Sequence, residues 1–143
     1  MTYIFFTETS LSKCISITNQ KAKNTDFSKI NLKDDIHVIL PNEILSLVSN
    51  DNEMTNKSNI EASIINTIAT NSLKDTENLK IFETSDRRLY HVISAENLLQ
   101  LKQMFSAFDG NLKISSDLSY FKNLNTNIES VSYTHLRAHE THN

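Results

Sequence analysis

The sequence predicts an α/β fold, a mixed β-sheet with helices packed against it. Two observations carry this. Seven short runs are rich in β-branched and aromatic residues, and two segments place apolar residues at helical spacing. Their order is β-β-β-β-α-β-β-α-β. Each helix then has one apolar face to bury, and laying both helices on one mixed sheet buries them most simply.

Each element has a local reason. Tyr3–Thr7 is β-branched and aromatic, and Lys13–Thr18 alternates, so both read as strands. The stretch Asn19–Lys33 is polar and reads as irregular. Asp35–Leu40 is a strand stopped by Pro41, which has no N–H to give to a ladder. Glu43–Ser49 places Ile44, Leu45 and Leu47 among polar residues and reads as a strand. After a polar linker, Asn50–Lys57, the run Ser58-Asn-Ile-Glu61 fits a capping box, and Ile60, Ile64, Ile65 and Ile68 follow on one helix face. Isoleucine is stiff at χ1 and lowers helix propensity, so this helix depends on tertiary burial. Leu79–Glu83 and Leu89–Ile93 flank Thr84–Arg88 as a β-hairpin. The second helix has Ser94 as its N-cap, Glu96 in its first turn, and a stripe of Leu98, Leu101, Phe105 and Phe108. Gly110 stands at its expected C′ position, Asn111–Ile114 returns as a strand, and Ser119–Leu124 begins a further element.

Composition excludes several function classes. With 143 residues, 38% of them hydrophobic, the chain can bury one modest core without disulfide or metal staples. It has one glycine, Gly110. A Walker A loop needs two and a dinucleotide-binding turn three, because backbone must approach phosphate closely. One cysteine, Cys14, excludes an intrachain disulfide framework and a cysteine-based zinc site. The net charge is −3 with no basic stripe, which argues against nucleic acid as a partner. The excess of Lys (11) over Arg (3), with 17 Asn and 15 Ile, reads as coding bias. Met1–Glu8 lacks a cationic stretch and meets an acid too early for a signal peptide. No run reaches the roughly 20 apolar residues of a membrane helix.

The residues able to carry chemistry do not assemble into a site. Asp34 and Asp35 lie at a strand entrance with nothing to separate their pKa values. His37 and His91 are embedded in strands and read as packed or edge histidines. Cys14 reads as a small buried hydrophobe, since a nucleophile needs a neighbouring base. Arg87 and Arg88 sit beside a hairpin turn, where an anion site or solvated turn charges are both open. The Leu98–Phe108 stripe fits a cofactor or partner helix, but more simply a face packed on a sheet. We therefore assign no catalytic, cofactor-binding or metal-binding residue and expect no enzyme.

The end of the chain differs in character. Ser130–Asn143 holds three of the five histidines, His135, His139 and His142. Val131–Thr141, VSYTHLRAHET, resembles a peptide that recurs at the ends of unrelated translated assemblies and reads as adapter or vector sequence. His135 and His139 are i, i+4 and would share a helix face, yet no carboxylate or thiolate at useful spacing completes a metal site. Residues 1–129 are expected to form the folded part, and 130–143 a disordered artefactual tail.

Two segments resemble the cytoplasmic part of the type II secretion system protein L family. The first is Asp35–Ser49, DIHVILPNEILSLVS, where Val38-Ile-Leu-Pro41 and Glu43-Ile-Leu45 match a strand ending in Leu-Pro, an acidic residue, and a second strand. The second is Asn59–Phe121: a helix, an acidic stretch at Lys74–Glu77, a strand pair, a helix opening after Val92-Ile-Ser94-Ala95, and a strand toward Asp117. Asn42 stands where that family usually has Gly, and a proline common in its first helix is missing between Asn59 and Ala69.

The resemblance implies an RNase H-like, actin-like first subdomain, with 1–129 as the truncated N-terminal part of a cytoplasmic domain. It implies a scaffold on the cytoplasmic side of the bacterial inner membrane, linking the secretion ATPase to the other platform proteins. Membrane association would come only through a C-terminal part that follows, and the resemblance admits a homodimer. Actin-type ATPases hold phosphate on glycine-rich hairpins. The hairpin region Tyr3–Thr18 has no glycine, so no cofactor is expected. The alternative is a small α/β ligand-sensing or protein-interaction module of an unrelated protein.

Overall fold

A computed structural model of the chain describes residues 1–50, 57–71 and 78–124. The polar linker, the acidic stretch and the histidine-rich tail lie largely outside them. The described residues form the α/β arrangement that the sequence predicts, but on two sheets instead of one. The first has five strands in the order β3-β2-β1-β4-β8: β3 is Lys21–Asp26, β2 Lys13–Thr18, β1 Thr2–Phe6, β4 Ile36–Leu40 and β8 Leu112–Ser116. Strands β1 to β3 are antiparallel, while β4 runs parallel to both β1 and β8. The second sheet has the order β5-β7-β6, with β5 at Ser46–Ser49, β6 at Leu79–Glu83 and β7 at Leu89–Ser94, all antiparallel.

The register explains the layers. Ile4 lies opposite Ser16 and Val38, and Val38 opposite Ile114. Side chains alternate across a strand. One face of the large sheet is therefore Ile4 and Phe6 of β1, Ile36, Val38 and Leu40 of β4, and Leu112 and Ile114 of β8, all buried. Helix α2, Ala95–Met104, covers that face with Leu101, and Phe105 and Phe108 follow it into the same core. Phe105 meets Phe27 edge-on at 5.1 Å, which seats the turn after β3 on the core. The three-stranded sheet joins this core through Ile93, with Phe82 packed beside it. Its other face, Tyr90 and Val92, packs with Ile64 and Ile68 of α1, Lys57–Asn71.

Several expectations are corrected by packing. The region read as irregular contains β3. A two-residue connection, Asn19–Gln20, has both residues left-handed (φ 51° and 64°), the twist that turns a strand back on itself. The polar strand that follows is held by its ladder to β2, and its lysines mark it as a protected edge. The strand read at Glu43–Ser49 is only Ser46–Ser49. Ile44 and Leu45 are consecutive and both buried, which a strand cannot achieve on one face. The chain turns instead, with the N–H groups of Ile44 and Leu45 both donating to Pro41 O at 2.9 and 3.0 Å. Asn42 closes the turn: its Oδ1 accepts from Leu47 N at 3.2 Å.

The helix boundaries shift as well. Helix α1 begins at Lys57, so Ser58 and Glu61 lie inside it and Ser58 is not the residue before its start. Ser94 is the N-cap of α2, accepting from Asn97 N at 3.1 Å as expected. That helix ends at Met104, six residues before Gly110. Gly110 is thus no C′ residue and needs no left-handed backbone. It is there for space: a Cβ would lie 2.5 Å from Phe108 Cζ. The element begun at Ser119 is a short helix, α3, spanning Asp117–Phe121.

Candidate functional site

Two histidine–serine pairs meet at the end of β8. Ser115 and Ser116 are successive, so their side chains leave opposite faces of the large sheet. On one face His37 Nε2 of β4 lies 2.8 Å from Ser115 Oγ. On the other, His91 Nε2 of β7 lies 3.2 Å from Ser116 Oγ, a polar link between the two sheets. Ser116 also caps α3. Its hydroxyl accepts from Ser119 N at 3.0 Å, and Ser119 Oγ accepts from Ser116 N at 2.8 Å, a reciprocal capping box. Ser116, Ser119 and His91 are fully buried.

Burial sets the charge state. The pKa of His91 is pushed down from 6.5 to about 4 by loss of water. His37 falls to about 4 for the same reason first, with the Lys113 charge second. Both rings are neutral at pH 7. Among the described residues, His91 Nδ1 is buried without a hydrogen-bond partner.

A serine beside a histidine is the geometry of a nucleophile and its base. Ser115 is 2% exposed. A histidine that protonates only near pH 4 is a weak base at neutral pH. The pairs satisfy buried polar groups and fix where α3 leaves β8.

Helix α3 carries Tyr120 onto the second face of the large sheet. Its ring lies 5.4 Å from Phe5, 5.5 Å from His37 and 6.3 Å from Tyr3, each edge-on. Beside it opens a cleft of about 430 Å³ lined by Tyr3, His37, Lys113, Ser115, Ser119 and Tyr120. Phe121 stands at its rim, 78% exposed. A smaller cleft of about 250 Å³ lies between the three-stranded sheet and the start of α2, lined by Ile44, Ile68, Leu79 and Val92 with Glu43 and Asn97.

The other residues singled out from sequence stay apart. Cys14 is buried with Sγ 3.7 Å from Thr25 O, and its thiol pKa is raised by burial first and by Asp26 second. It is a buried hydrophobe, not a thiolate. Arg87 and Arg88 are exposed at the hairpin turn, and Arg88 Nε lies 3.6 Å from Asp86 Oδ1. Asp34 and Asp35 are exposed. The stripe Leu101, Phe105 and Phe108 is core. Among the described residues no group of three or more His, Cys, Asp or Glu side chains converges as a metal site. His135, His139 and His142 lie outside the described residues. Sequence reading missed Ser115, Ser116, Ser119 and Tyr120. Only the Ser116-x-x-Ser119 spacing carried a signal, as a cap.

No helix among the described residues is long and apolar enough to cross a membrane. No protein-family model matches the chain, and a search of the curated proteins finds no match. Among solved structures, the chain is similar to the cytoplasmic domain of EpsL, an inner-membrane component of the type II secretion system of Vibrio cholerae. The TM-score is 0.54 at 12% sequence identity, over 81% of this chain and 56% of that one. The chain thus spans little more than half the length of that structure. At this identity the similarity establishes the fold: a mixed α/β arrangement shared with the EpsL cytoplasmic domain.

Proposed function

We propose that this chain is the first part of the cytoplasmic domain of a type II secretion inner-membrane component. In this reading it is a non-catalytic scaffold that links the cytoplasmic secretion ATPase to the membrane complex. The observation that carries it is the fold shared with the EpsL cytoplasmic domain. The resemblance at Asp35–Ser49 and Asn59–Phe121 points the same way from sequence alone.

The geometry of the first hairpin supports a scaffold over an ATPase. Phosphate binding needs backbone N–H groups that converge on open space. In the turn between β1 and β2, Thr7 N–H already donates to Lys13 O at 3.1 Å and Leu11 N–H to Glu8 O at 3.2 Å. Leu11 is left-handed at φ 57° and 3% exposed, so its side chain plugs the core beneath the turn. Calorimetry with Mg·ATP should show no heat of binding, and a sub-millimolar dissociation constant would overturn this part of the reading.

The decisive experiment is association. The complete protein should retain the secretion ATPase of the same genome in a pull-down through its cytoplasmic part. Well-folded complete protein that retains no ATPase, from a genome with no secretion operon around the gene, would sink the proposal. One observation favours a second reading, a small α/β ligand-sensing or protein-interaction module. Hydroxyl, imidazole and ammonium groups converge in the cleft beside α3. That reading takes over if association fails while small anions raise the thermal midpoint of the folded chain.

A further inference from the structure

We draw no further inference here: the strongest candidate, the cleft between α3 and the second face of the five-stranded sheet, is an unpartnered surface lined by Tyr3, His37 and Tyr120, and nothing in the structure shows what covers it.

Discussion

Among the described residues, the five-stranded sheet rests on a cluster of fifteen buried side chains drawn from Ile4 to Ile114, whereas the face of the three-stranded sheet that α1 covers rests on four, Ile64, Ile68, Tyr90 and Val92. Ile and Val occur in both, while Leu and Phe are buried only in the larger cluster. The two regions also differ in how far along the chain the contacts reach. The large cluster joins β1, β4, α2 and β8, so losing any member loosens the whole unit. The small cluster is closed by one helix and one hairpin. Elements with few buried apolar contacts open at lower free energy than the global transition. Strand β7 belongs to both regions. Ile93 faces the large core, with His91 turned the same way toward Ser116, and Tyr90 and Val92 face α1. Hydrogen exchange should therefore rank α1 and the outer edges of the small sheet as opening first, with β1 and β4 last.

The sharpest break in this comparison comes from Phe105. It is 1% exposed and joins Phe27 to the large core. Phe105→Ala should cost about 3–5 kcal/mol, the usual range for a buried aromatic. Denaturant titration should show one transition shifted for all probes. A change confined to α2 would mean that the large cluster is not one unit.

Acid should act next. Both histidines have folded pKa values near 4 against 6.5 in the free side chain, so between these limits the unfolded chain binds more protons. Their contribution is full above pH 6.5 and is lost as pH falls toward 4. At about 1.4 kcal/mol per unit, each can cost at most ~3.5 kcal/mol. His37→Gln keeps a polar group near Ser115 but cannot titrate. Its stability should fall less between pH 7 and 4.5 than that of the parent, with carboxylate effects common to both chains. Identical pH slopes would show that His37 is not held neutral.

Ile64→Ala tests the small cluster. The expected loss is about 2 kcal/mol, the lower end for a buried Ile, because α1 can settle onto a shallow cluster. Exchange should quicken in α1 and β6 while β1 and β4 keep their protection. Uniform quickening would merge the two regions into one. Gly110→Ala should cost about 1–3 kcal/mol, since the new methyl forces the Phe108 ring to move. A neutral result would mean that Phe108 swings away freely. Leu99→Gln should change stability by less than about 0.5 kcal/mol, because Leu99 is half exposed on the outer face of α2.

Legibility followed the range of the forces. The Ser94 cap, the strand ended by Pro41 and the hairpin around Thr84–Arg88 were readable, because each depends on neighbours a few residues away. Strand β3 was not, because Lys21–Asp26 has no apolar pattern and owes its conformation to the β2 ladder. The turn at Pro41–Leu45 was misread because Ile44 and Leu45 look like strand residues until both must face one core. The candidate site was hidden for a related reason. His37 and Ser115 are 78 residues apart, and only the parallel pairing of β4 with β8 brings them to 2.8 Å.

Sequence by itself determined the α/β class, most of the strands, the second helix with its cap, and the exclusion of glycine-rich phosphate loops. These follow from side-chain periodicity and from residues that cannot adopt or vacate a backbone conformation. Tertiary structure decided that the strands divide into two sheets, that Gly110 yields to the Phe108 ring, and that two histidines stay neutral against two adjacent serines. Those outcomes depend on which distant surfaces exclude water together, and a local pattern does not encode that.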